Sequence, residues 1–286
     1  MPIILNYRSS GAKYLSSLLF TTGIVVAGLV IPKNEQVLLH YIKLFIVPVI
    51  EVVGVTFLIV KVRQASKAYK NNALRHGDFY DELKKATFTI IPNRIAYIVS
   101  SEIGILYYLF FHRGKIKYDH QRFSYHKDTG TVALFSVLVF MVLMETAAIH
   151  LLLAKWNNKA AWIISGLSVY AALQLMGVAR ALFRRPIEIR DNVLILRYGV
   201  LAQTEIPLTE IESIKQVASV TEKSPGFGCL SPLNSLDSYN MLLELRTPAS
   251  ISFIYGRVKT YSTLAFHVDD KILFKETINS NILRAV

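Results

Sequence analysis

The chain has little of what stabilises a small secreted fold and little of what keeps a cytosolic one in solution. Cys229 is the only cysteine among 286 residues, which excludes an intrachain disulfide framework and cysteine-built zinc modules. Gly (14) and Pro (9) are too scarce for a fibrous or low-complexity chain. Charged residues make up only 18%, where an ordinary soluble domain holds about a quarter. Acidic residues are scarcest, 20 against 32 Lys and Arg, leaving a formal net charge of +12. What fills the space is apolar: 52% of residues are hydrophobic and the mean hydropathy is +0.38.

The basic excess is confined to one part of the chain. Residues 1–185 hold 22 Lys and Arg against 9 Asp and Glu, and residues 186–286 hold 10 against 11. Positive charge that accompanies apolar segments marks membrane orientation. No base-reading motif accompanies it, so nucleic acid is not an expected partner.

Four stretches are long and apolar enough for a bilayer crossing, which takes about 20 residues. They are 14–31, 37–60, 131–154 and 160–183. A fifth, 95–111, is shorter and broken by Ser100, Ser101 and Glu102. If this fifth segment does not cross, residues 61–130 bring 13 Lys and Arg to one side, joined by Arg8, Lys13, Arg180, Arg184 and Arg185. Only Lys33, Lys155 and Lys159 lie opposite. The positive-inside bias then predicts four spans, cytoplasmic termini and a re-entrant or interfacial helix at 95–111 buried against the bundle. A five-span arrangement is the alternative. Lys61–Asn93 reads as one or two polar helices, in which Lys61, Arg63, Lys67 and Lys70 would meet anionic lipid head groups.

Ionisable and amide side chains inside apolar spans are functional candidates by default. At 100° per residue, His40, Lys43 and Glu51 share one helical face, and Glu145, His150 and Gln174 lie in the last two spans. With a rise of about 1.5 Å per residue, His40, Lys43, Glu145 and His150 form an outer polar level. Glu51 and Gln174 meet about 21 Å below the outer surface. Glu102 completes this intramembrane set. The set supports two readings: ion pairs and hydrogen bonds that hold helices together, or a catalytic or proton-conducting group in which Glu145, His150 and Glu51 are the candidates. Glu145 and His150, five apart, do not share the face that two zinc ligands need, and a Lys43 ammonium repels a cation. No metal or other cofactor is expected, and no nucleophile elbow or nucleotide loop occurs.

The pattern changes at Arg184-Arg185-Pro186. Ile187–Arg190 and Val193–Tyr198 flank Asp191-Asn192, a hairpin signal. Further strands are predicted at Leu201–Ile206, Ser213–Val217, Met241–Arg246, Ile251–Tyr255 and Tyr261–Val268. Asp269-Asp270 would cap a last helix to about Ile278. The long segment Thr221–Tyr239, with Gly226-Phe227-Gly228-Cys229, lacks a P-loop Lys and reads as a mobile or partner-contacting loop. Two or more small antiparallel sheets closed by a helix outline a barrel or sandwich over 186–286.

The run "IEIRDNVLILRYGVLAQTEIPLTEIESIKQV" resembles the opening of bacterial pleckstrin-homology-like (PH-like) domains, and "NMLLELRTP" and "FHVDDKILFKETI" resemble their late strand and closing helix. With the preceding pair of apolar segments, residues 120–286 are similar to bacterial multi-pass membrane proteins that end in such a domain. The resemblance implies a cytoplasmic-membrane protein with a cytoplasmic interaction module, one that binds a protein partner or self-associates. The expected role is scaffolding, assembly or regulation. The alternative is a membrane enzyme or transporter that works through the intramembrane cluster on an apolar or small substrate.

Overall fold

The computed structural model describes residues 40–46, 56, 60, 63, 78–88, 93–112, 118, 121–127, 129–217, 226–233 and 237–285. The chain divides into two compact units, Met1–Ser100 and Ser101–Val286.

In the first unit a turn of π-helix covers Ile42–Ile46, and helix α1 runs over Phe79–Phe88. Asp81 and Glu82 sit in the first turn of α1, where the helix dipole favours negative charge. Phe79, Tyr80, Leu83 and Thr87 form its buried stripe at helical spacing. The Phe88 ring stands edge-on to Tyr97, and the Lys84 ammonium lies 5.1 Å from the Tyr80 ring centroid. Helix α2 then runs from Asn93 to Phe110.

In the second unit a short strand β1 (Arg122–Phe123) precedes two long helices, α3 (Thr131–Ala154) and α4 (Asn158–Arg184). Asn157 caps α4 by accepting a hydrogen bond from the Ala160 amide. Both helices are long and apolar enough to cross a membrane. The described residues therefore hold two such helices, not four. The expected spans at 14–31 and 37–60 fall almost wholly outside those residues. Helix α2 is too short by the same measure, and on it Gly104, Ile105, Tyr108 and Leu109 form a buried stripe.

After α4 come β2 (Ile187–Arg190), β3 (Val193–Tyr198), β4 (Ala202–Pro207), β5 (Ile211–Gln216), β6 (Phe227–Cys229), β7 (Met241–Phe253) and β8 (Val258–Phe266). Helix α5 (Lys271–Ala285) follows. The strands make one eight-stranded sheet in the order β1-β2-β3-β4-β7-β8-β6, with β5 on β7. All pairings are antiparallel except β6 with β8. The Asp191-Asn192 turn takes positive φ at both residues, which matches a two-residue hairpin.

The expectation of two or more small sheets is corrected here, since the strands form one sheet. The runs read as separate strands, Met241–Arg246 and Ile251–Tyr255, join in the single strand β7 as far as Phe253, with a register shift against β8 between Glu244 and Ala249, and Ile254 and Tyr255 fall in the turn that follows. Pro248 has no N–H to give to a ladder and sits in that irregular stretch. The first half of β7 pairs with β5 and the second with β4, so one bent strand serves two neighbours. The expected loop around Gly226–Cys229 is strand β6. Gly228 makes this possible: a Cβ there would lie 2.9 Å from that of Tyr261 on β8. The sheet also starts earlier than Pro186, since Arg122 and Phe123 pair with Glu188 and Ile187.

Helix α5 is capped by Asp270, which accepts from the Leu273 amide. Phe274 and Ile278, one turn apart, are fully buried, and Phe274 meets Phe123 and Phe266 edge-on.

Candidate functional site

Two polar constellations sit where the apolar helices meet the sheet. The first fixes both helices at their sheet-side ends. Thr131, the first residue of α3, donates to Asp237 at 2.9 Å, and the Tyr198 hydroxyl donates to the same carboxylate at 2.6 Å. At the other helix, Arg185 follows the last residue of α4 and is 1% exposed. Its guanidinium donates to the Gly199 carbonyl at 2.5 Å and to Gln203 Oε1 at 2.8 Å. The Gly199 amide in turn donates to the Tyr125 hydroxyl at 2.7 Å. Gly199 has φ of +52°, and a Cβ there would press on Leu182 at 3.1 Å, so the turn between β3 and β4 lies directly against α4. Burial pushes the hydroxyls of Tyr125 and Tyr198 well above the usual phenol range and keeps both protonated. Beside them Arg197 pairs with Glu188 at 3.1 Å, and Glu188 also meets Arg122 at 3.5 Å. This second pairing ties β1 to β2 through side chains as well as backbone.

The second constellation centres on Glu102 of α2. Its Oε1 accepts from the Tyr255 hydroxyl at 2.9 Å, and its Oε2 accepts from the Tyr170 hydroxyl at 2.5 Å and from the Gln174 amide. Tyr170 and Gln174 lie one turn apart on α4 and touch each other at 2.5 Å. Tyr255 lies in the turn between β7 and β8, where Phe253 N–H donates to the Arg257 carbonyl at 2.7 Å. It has φ of +60°, a left-handed conformation that is uncommon for a non-glycine residue. Three elements distant in sequence thus converge on one carboxylate. Gln174 Oε1 is buried and has no hydrogen-bond partner among the described residues. Nearby, α2 and α4 cross closely, because a Cβ on Gly177 would fall 2.4 Å from Ile105 Cγ2 and 2.8 Å from its carbonyl oxygen.

Of the residues expected to carry function, Glu102 and Gln174 are brought together. Glu51, Lys61, Lys67 and Lys70 and the Lys43 side chain lie outside the described residues, so the expected level of Glu51 with Gln174 and the place of Lys43 beside Glu145 in the expected outer level do too. His40 is exposed, with its ring edge-on to Tyr41, and Arg63 is exposed. Glu145 is exposed on α3 and has no polar partner among the described residues. His150 Nδ1 lies 2.7 Å from Ser165 Oγ on α4, and its ring stands edge-on to Trp162. These contacts join α3 to α4 near their far turn. Among the described residues no group of three His, Cys, Asp or Glu is placed to hold a metal ion.

Sequence reasoning overlooked Tyr170, Tyr255 and Asp237, and it counted Arg185 only as a topology charge. The one local signal for Tyr255 was the following Gly256, which also takes positive φ. Comparison with protein-family models, with curated proteins and with solved structures finds no match.

Proposed function

We propose that this chain is a membrane-anchored interaction protein, in which the α3–α4 hairpin crosses the bilayer and the sheet forms a cytoplasmic platform for assembly or regulation. The observation that supports it is the contrast along the hairpin. Only 6% of the most apolar stretch of α3 is buried, against 22% for α4. Phe140, Met141, Leu151, Leu152, Trp162 and Leu167 are left outward, a surface suited to lipid tails. The buried Thr131–Asp237–Tyr198 and Arg185–Gly199 contacts hold that hairpin to the sheet, so a partner on the sheet is mechanically linked to the membrane. The PH-like reading of the sheet and its closing helix, the further spans at 14–31 and 37–60 and the cytoplasmic termini belong to the same proposal. The Lys and Arg distribution supports this topology.

A second reading, a membrane enzyme or transporter acting through a buried carboxylate, draws on Glu102 and the unpartnered Gln174 Oε1. The tethering role accounts for more of the geometry, because the three donors on Glu102 come from the protein itself.

Cysteine accessibility in intact cells tests the topology, in a Cys229→Ser background. Glu212→Cys should be labelled only from the cytoplasmic side and Lys155→Cys only from the opposite side. Labelling of both from one side would refute the crossing. Affinity purification from native membranes, with mass spectrometry of proteins and lipids, then tests the platform. A bound enzymatic substrate with no protein partner and no self-association would favour the second reading.

A further inference from the structure

The turn between β7 and β8 is more than a connection. With the strand ends that flank it, it reads Phe253-Ile254-Tyr255-Gly256-Arg257-Val258-Lys259, an aromatic and aliphatic run followed by two basic residues on either side of a valine. Tyr255 is 49% exposed and Val258 55% exposed. The Arg257 guanidinium lies 5.7 Å from the Phe253 ring centroid, and the exposed Lys259 reaches the Phe227 carbonyl at 3.1 Å. An exposed aromatic and an exposed valine flanked by two cations have the make-up of a segment lodged at a lipid–water interface.

Its height along the helices supports the same location. A hydrocarbon layer of about 30 Å takes about 20 helical residues. Measured from the far turn between Ala154 and Asn158, that layer reaches down to about Leu134 on α3 and about Gly177 on α4. Tyr170 and Gln174 lie inside this limit. Tyr255 shares the Glu102 carboxylate with both of them, so the turn stands at the inner edge of the apolar layer.

We propose that the β7–β8 turn dips into the leaflet beside α4, with Tyr255 and Val258 among the upper acyl chains and Arg257 and Lys259 on the phosphates of anionic phospholipids. The Glu102 tether fixes its depth. Charge complementarity and continuity with the apolar outer surface of α4 select this occupant. The proposal rests on the membrane reading above, and its test separates the two.

The full chain, in a Cys229→Ser background, is labelled with an environment-sensitive fluorophore at Val258→Cys or, as a reference on α3, at Met144→Cys. It is reconstituted in phosphatidylcholine vesicles with and without phosphatidylglycerol, and lipids brominated on the acyl chain serve as quenchers. Both sites should be quenched. Phosphatidylglycerol should strengthen quenching at residue 258, and Arg257→Glu with Lys259→Glu should lower the ratio of inserted to withdrawn turn by about fivefold or more per basic residue. Quenching at 144 without quenching at 258 overturns the proposal and leaves the membrane reading standing. No quenching at either site overturns both. Quenching at 258 that ignores phosphatidylglycerol and charge reversal overturns the anionic-lipid assignment.

Discussion

Helix α3 and the sheet are both rich in aliphatic residues, yet they use them in opposite ways. On α3 Val137, Phe140, Met141, Leu143, Met144, Leu151 and Leu152 are exposed, and Thr131 and Phe135 are its buried residues. In the sheet, Ile187, Leu194, Leu196, Ile206, Leu243, Ile251 and Leu264 are buried to within a few per cent. The same chemistry stabilises the sheet by leaving water on folding, whereas on α3 it stays at the surface, where the membrane reading proposed above gives it to lipid. Helix α4 lies between these cases. Its outer half exposes Trp162, Ile163 and Leu167, while its inner half buries small residues, Ala172, Gly177 and Ala181, against protein.

The largest effect should come from the sheet side. Phe274 is fully buried between Phe123 and Phe266, so Phe274→Ala leaves a cavity and should cost about 3–5 kcal/mol. Met144→Ala on α3 removes a comparable side chain from an exposed position. It should leave detergent-solubilised stability nearly unchanged, as measured by thermal unfolding. Equal losses at the two sites would abolish the distinction drawn between them.

A smaller loss is expected at the α2–α4 crossing. Gly177→Ala places a methyl group within 3 Å of the Ile105 carbonyl oxygen, which a side-chain rotation cannot relieve. Such overpacking costs about 1–3 kcal/mol. Gly166→Ala, with open space around it on the same helix, serves as the control and should be neutral or slightly stabilising. Unfolding midpoints of the two variants in one detergent check the difference.

How much of this was legible in the sequence follows from the range of each interaction. The ends of α3 match the apolar run 131–154, because a bilayer-length helix is specified by composition alone. The Asp191-Asn192 hairpin follows from local turn chemistry, and Asp270 from its capping position. Strand β1 has only two residues and no pattern to detect. Pro248 made one strand read as two. The donors to Glu102 are 68, 72 and 153 residues away, and no local period connects them. A uniformly apolar helix such as α3 also gives no facing information for Glu145, and the Lys43 side chain expected at its level lies outside the described residues. Gly177 carried a weak signal, since a glycine inside an apolar helix is often a close-contact site.

The smallest effect concerns His126, at the junction of the two regions just before α3. Its ring stands edge-on to Phe183 of α4, with centroids 4.4 Å apart, and its Nδ1 is buried without a hydrogen-bond partner among the described residues. Burial lowers its pKa below the usual histidine value; the Asp269 carboxylate opposes that shift and Lys127 reinforces it. Asp269 also faces His267 at 3.7 Å, so its charge is shared. A histidine with a lowered folded pKa binds fewer protons folded than unfolded, so stability rises with pH across this interval. The contribution is intact above about pH 6.5, the unfolded value, and is lost as pH falls from there towards the folded value. One such group limits the slope to about 1.4 kcal/mol per pH unit. His126→Phe keeps an aromatic edge on Phe183 and removes the titration. Denaturation curves of the full chain at pH 7.5 and 5 should therefore converge for the variant more than for the wild type. If the two proteins lose the same stability on acidification, the pH dependence resides elsewhere, and His267 with Asp269 is the next pair to substitute.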